Sequence, residues 1–180
     1  LASASVVPGS ETASNFGTLT IQTEASGSDL AQAFAAGYLE GALTADMISD
    51  QVSNLFCQVD CTGEVPAPVA QYLSDQRSYM DDMVAANPDD PLWVHVGLTN
   101  RQFDGVLSGY SEHASAPFKD VLWAIQLANY VGDMFDIIPA VEPMKRPNLS
   151  DMTVEELRLF QATSGHCSAI IRVADDLSDI

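Results

Sequence analysis

Apolar and polar residues alternate over Phe16–Glu24. Gly17, Leu19, Ile21 and Thr23 fall on one side, and Thr18, Thr20 and Gln22 on the other. A period of two in a run rich in Thr and Ile predicts a half-buried strand. After it the period lengthens. Asp29 and Gln32 make a capping-box-like start for a helix over Leu30–Leu43. Thr44 and Asp46 restart a helix through Met47, Ile48, Val52, Leu55 and Phe56, and Pro66 and Pro68 open a third with Val69, Tyr72, Leu73, Met80, Met83 and Val84 inward. Asp90 and Pro91 supply a cap and a first-turn proline for a fourth helix. Its stripe Leu92, Val96, Thr99, Phe103, Val106, Tyr110 is the strongest amphipathic signal in the chain. A fifth helix is expected over Pro117–Ile138, with Leu122, Ile125, Tyr130, Met134 and Phe135 as core.

Gly37 and Gly41 stand four apart on one face of the first helix. Each costs roughly 1 kcal/mol against alanine there, which close approach of another backbone would offset. The regions outside the helical pattern read differently. Residues 1–15 are small and polar and are expected to be loosely held. Residues 139–166, with prolines at 139, 143 and 147 and the adjacent bases Lys145-Arg146, read as an exposed connection of the kind proteases cut, with a short helix at 154–162. Cys167–Val173 is β-branched and reads as the start of a buried strand. The expected division is therefore 1–15, 16–138, 139–166 and 167–180.

The chain has 180 residues, 25 acidic against 7 basic, for a formal net charge of −18. That balance argues against nucleic acid, whose phosphates need a basic face, and against an anionic membrane surface. It would suit an acidic compartment, though solubility alone explains it equally well. No apolar run approaches a membrane span; Val121–Tyr130 is about half of what is needed. No signal peptide is visible, and the two ends read as those of a processed or truncated piece.

The three cysteines carry most of the candidate chemistry. Cys57 and Cys61 are read as a disulfide closing a short loop, provided the residues between them turn and do not continue a helix; two reduced core cysteines are the alternative. With no second Cys pair and no His nearby, zinc has little support. Asn148-Leu149-Ser150 is an N-glycosylation sequon inside the exposed connection. Cys167 follows a flexible lead, Ser164-Gly165-His166, into a strand, as an enzyme that makes its own N-terminal nucleophile requires. Its thiol would attack the preceding carbonyl, and water would release the upstream chain at His166. The freed amine, with an ordinary pKa of about 7.7–8.0, would then act as base. An inert cysteine at a strand start is the plainer alternative. His95 reads as a boundary residue and His113 as a loop residue beside Glu112. No metal, cofactor or phosphate-loop pattern occurs.

Three stretches together resemble the phospholipase B-like family of lysosomal or secreted N-terminal-nucleophile hydrolases: Phe34-Ala-Ala-Gly-Tyr-Leu-Glu-Gly-Ala-Leu-Thr44, Asp90-Pro-Leu-Trp-Val-His-Val-Gly-Leu-Thr99 and Gly165-His-Cys-Ser-Ala-Ile-Ile-Arg172. The resemblance implies an α+β fold, the N-terminal portion of an αββα sandwich, mostly helical in the part present and truncated. It implies Cys167 as nucleophile after cleavage at His166, a Cys57–Cys61 disulfide, glycosylation, and a lipid ester or an amide as substrate. It also implies a lysosomal or secreted location and a partner in the remainder of the same polypeptide beyond residue 180. The family's strand runs on into a segment that contributes His and Asn; here Asp176-Leu-Ser-Asp-Ile180 enters it and stops. The chain alone is therefore expected to be inactive. The competing expectation is a catalytically silent acidic protein or prosegment that acts by binding a partner.

Overall fold

The computed structural model describes residues 1–7, 9, 17–59 and 64–163. In chain order these form strands β1 (Ala2–Val7) and β2 (Thr18–Thr23), then helices α1 (Asp29–Leu43), α2 (Ala45–Val59), α3 (Ala67–Ala86), α4 (Pro91–His113), α5 (Val121–Val141) and α6 (Val154–Thr163). Two 3₁₀ turns, Pro143–Lys145 and Leu149–Asp151, join α5 to α6. The expected αββα sandwich is not what these residues form. They are mostly helical, with one open two-stranded sheet. The physical reason lies in the pattern: from Asp29 to Val141 the chain repeats at helical spacing, leaving no stretch among the described residues to build a second sheet.

β2 is the strand the alternation predicts, with Leu19, Ile21 and Thr23 half-buried and Thr18, Thr20 and Gln22 exposed. Its partner is the segment expected to be loose. β1 pairs antiparallel with it, Ala2 opposite Thr23 and Val7 opposite Thr18, and α1 packs across both strands. Ser and Ala have little strand preference of their own, so the partner strand and α1 decide the conformation.

Capping sets the helix starts. Ser28, not Asp29, caps α1, its Oγ accepting from the Ala31 amide at 3.3 Å. Asp90 caps α4 by accepting from the Leu92 amide at 2.9 Å, with Pro91 in the first turn. Asp120 caps α5 through the Trp123 amide at 2.9 Å, which starts that helix after Pro117. At its far end α5 runs past Ile138 through Pro139 to Val141. Proline cannot donate in the ladder, and Arg146 ties this last turn down, donating to the carbonyls of Pro139 (3.1 Å) and Ala140 (3.3 Å).

α6 starts with a reciprocal capping box. Thr153 Oγ1 accepts from the Glu156 amide at 3.3 Å, while the Glu156 carboxylate accepts from the Thr153 amide and hydroxyl, each at 2.8 Å. Those bonds, the amide first and the hydroxyl second, hold the Glu156 carboxyl below its usual range against the opposing effect of burial. A carboxyl whose pKa is lowered by folding stabilises above the ordinary glutamate range and loses that contribution as pH falls through the lowered value. An NMR titration should place the Glu156 midpoint below that of an ordinary glutamate. An ordinary midpoint would show that the box does not form in solution.

Two apolar clusters make the core. Leu55, Val69, Leu73, Trp123, Leu127 and Met134 join α2, α3 and α5. Ala45, Tyr110 and Ile125 join α2, α4 and α5, and the Tyr110 hydroxyl meets Ser49 Oγ at 2.8 Å. Leu92, Leu122 and Phe135, expected inside, are exposed.

Candidate functional site

α1 and α4 meet backbone to backbone. A Cβ on Gly37 would fall on the carbonyl of Gln102, and one on Gly105 would lie 2.7 Å from the amide nitrogen of Tyr38. At Gly41 and Gly109 the nearest amide nitrogens would be those of Tyr110 at 2.9 Å and Ala42 at 2.8 Å. Gly105 and Gly109 repeat on α4 the four-residue spacing of Gly37 and Gly41 on α1. This backbone seam is the frame on which the Tyr38 cluster sits.

At one end of the seam the Tyr38 hydroxyl donates to Glu112 Oε2 at 2.7 Å and lies 3.1 Å from His113 Nε2. The hydroxyl has one proton, given to Glu112, so His113 donates to it. Glu112 and His113 belong to the last turn of α4, not to a loop. The hydrogen bond to Glu112, then burial, then the Glu112 charge raise the Tyr38 phenol above its usual range. A phenol so held is a poor nucleophile. Its evident role is to tie α1 to the end of α4.

Between α3, α4 and α5 lies an open groove of about 1010 Å³, at the upper end of the size of small-molecule sites, about 300–1,000 Å³. Leu73, Phe103, Leu107 and Trp123 give it an apolar wall, and Arg77, Asn100, Asp104, Gln126 and Asp133 a polar one. Arg77 spans the α3–α4 junction. It bonds Asp81 through Nε (3.0 Å) and Asp104 through Nη1 (3.1 Å) and Nη2 (3.3 Å). Burial, the largest single influence, works against its charge, yet the bonds and charges of Asp104 and Asp81 outweigh it and raise its pKa. Asn100 adds a bond to Asp81 at 3.2 Å. Arg77 and Asp81 stand four apart in the sequence, a visible pairing signal; the bond to Asp104 crosses helices and carries no such signal.

The sequence-derived candidates fall elsewhere. His166 and Cys167 lie outside the described residues, as does Cys61. Self-exposure of Cys167 as an N-terminal nucleophile was expected of the αββα sandwich, and the mostly helical fold overturns that reading, including the freed amine as base. The proposed Cys57–Cys61 disulfide required the residues between the two cysteines to turn, and instead α2 continues through Cys57 to Val59. Asn148 is exposed, its Oδ1 accepting from the Ser150 amide at 3.3 Å and its Nδ2 donating to Asp151 at 2.6 Å. His95 is exposed on α4. Among the described residues no three His, Cys, Asp or Glu side chains gather as metal ligands do, and no helix is long and apolar enough to cross a membrane.

The sequence model of the phospholipase B family matches residues 7–180. Phospholipase-B 81 of Drysdalia coronoides is 34% identical over 149 residues, covering 82% of this chain and 27% of that protein. Phospholipase B-like 1 of Rattus norvegicus is 33% identical, over 82% of this chain and 26% of its own length. Phospholipase B-like protein E of Dictyostelium discoideum is 31% identical over 169 residues, 92% of this chain and 30% of that protein. The chain belongs to the phospholipase B family, and it spans between 26% and 30% of the length of these relatives.

Proposed function

We propose that the protein is a hydrolase of lipid acyl esters on the secretory route, lysosomal or secreted, and that this chain supplies part of its substrate groove and its attacking thiol, Cys167. The family match over residues 7–180 is the observation that carries the reading. The groove between α3, α4 and α5 supports it, since Leu73, Phe103, Leu107 and Trp123 offer an acyl chain an apolar wall beside a polar one. In the proposed reaction the Cys167 thiolate attacks the acyl carbonyl, and the alcohol portion leaves with a proton. Water then cleaves the thioester, returning the thiol and releasing the carboxylic acid. No self-cleavage ahead of Cys167 enters this scheme.

The test is release of fatty acid from phosphatidylcholine vesicles by the whole protein. Cys167→Ser should slow it roughly a thousandfold or more, as loss of a nucleophile does. Absence of fatty-acid release by the intact protein would sink the hydrolase. An unchanged rate in Cys167→Ser would remove Cys167 from it.

A further inference from the structure

We propose that Asn148 carries an N-linked glycan and that this glycan guards the Lys145–Arg146 bond from proteolysis. The attachment signal is Asn148-Leu149-Ser150, and the fold gives the sugar room. Every residue from 143 to 151 is exposed, and Met144 is 99% exposed. The chemistry at the site is also compatible. In the transfer the Nδ2 of Asn148 bonds to the anomeric carbon of a lipid-linked oligosaccharide pyrophosphate, the sugar–phosphate bond breaks, the lipid pyrophosphate departs with the bonding pair, and Nδ2 gives up one proton. One N–H remains on Nδ2, and Oδ1 still accepts from the Ser150 amide. That bond, which shapes the 3₁₀ turn Leu149–Asp151, survives modification.

The guarding role follows from adjacency. Lys145 and Arg146 are the chain's only adjacent bases and stand three and two residues before Asn148. The Lys145 side chain is 56% exposed and reaches Glu142 at 3.2 Å. Arg146 is followed by Pro147, which disfavours cutting after it, so Lys145–Arg146 is the bond a trypsin-like protease would take. An exposed turn with so little packed around it is a preferred site of nicking, and a bulky, hydrated sugar on the next turn blocks approach.

The inference rests on the secretory route proposed above and is independent of the hydrolysis. The whole protein is to be made in eukaryotic cells and recovered from the medium or from lysosomes. Peptide-N-glycosidase should lower its mass, and neither Asn148→Gln nor Ser150→Ala should show the portion of that shift due to this site. Brief trypsin treatment should cut after Lys145 faster in the deglycosylated protein and in Ser150→Ala than in the glycosylated protein. Because enzymatic deglycosylation acts on protein already folded, the comparison holds even where a variant fails to fold. An Asn148-containing peptide without sugar would overturn the proposal, and equal trypsin rates would overturn the guarding. Retention of the protein in the cytosol would overturn the route and the glycan together, whereas failure to hydrolyse lipid would leave both standing.

Discussion

Gly41→Ala and Gly105→Ala should each destabilise the protein by about 1–3 kcal/mol, the usual cost of overpacking, while Gly132→Ala should stabilise it by up to about 1 kcal/mol. The same added methyl group thus has opposite signs. All three glycines are inside helices, where alanine is intrinsically favoured. At Gly132 a Cβ meets nothing within 4 Å, so only the propensity gain is felt. At Gly41 it would lie 2.9 Å from the Tyr110 nitrogen, and at Gly105 2.7 Å from the Tyr38 nitrogen. Those neighbours are backbone, which cannot rotate aside, so α1 and α4 would have to separate along the whole seam. Larger residues at Gly105 should abolish the pairing. Urea unfolding of the three alanine variants decides the matter, and destabilisation at Gly132 equal to that at Gly41 would refute the seam.

Trp123→Ala should cost about 3–5 kcal/mol, the range for deleting a buried aromatic, against a total stability of about 5–15 kcal/mol for an ordinary domain. Trp123 is 3% exposed and packs in the cluster with Leu55, Val69, Leu73, Leu127 and Met134. It therefore joins three helices at one point and forms one wall of the groove. Its removal should loosen α5 from α2 and α3 and erase much of the near-ultraviolet circular dichroism while leaving the helical far-ultraviolet signal. Trp93, half-buried on α4 with Tyr79 edge-on at 6.0 Å, is the control: its replacement by alanine should cost much less. Equal losses at the two tryptophans would mean that the core does not centre on α5.

The helices were largely legible because their caps and turns are written in Asp90-Pro91 and Pro66. The interior was less so. Hydrophobic periodicity puts Leu92 on the inner stripe of α4, yet it is 63% exposed. The face of α4 that meets α1 is made by Gly105 and Gly109, which add nothing to an apolar stripe. An interface of glycines is therefore displaced in any reading that follows apolar side chains, although the repeated four-residue spacing was there to be seen. β1 was illegible because its first four residues, Ala2–Ser5, are Ala and Ser, with little strand preference until β2 and α1 supply a partner. The Arg77 bond to Asp104 depends on α3 meeting α4. Cys167 was singled out by its local sequence and by family resemblance, and the sandwich inferred with it does not follow from the helical pattern of residues 29–141.

The seam has a kinetic consequence. Tyr38 and His113, which meet at its end, are 75 positions apart, with α2 and α3 between them. Bringing α1 to α4 closes a long loop, and that loop-closure entropy is spent before close packing along the seam is gained. A contact made late in folding acts mainly on the rate of escape from the native state. Gly41→Ala should therefore speed unfolding more than it slows folding, which stopped-flow unfolding and refolding in urea would read.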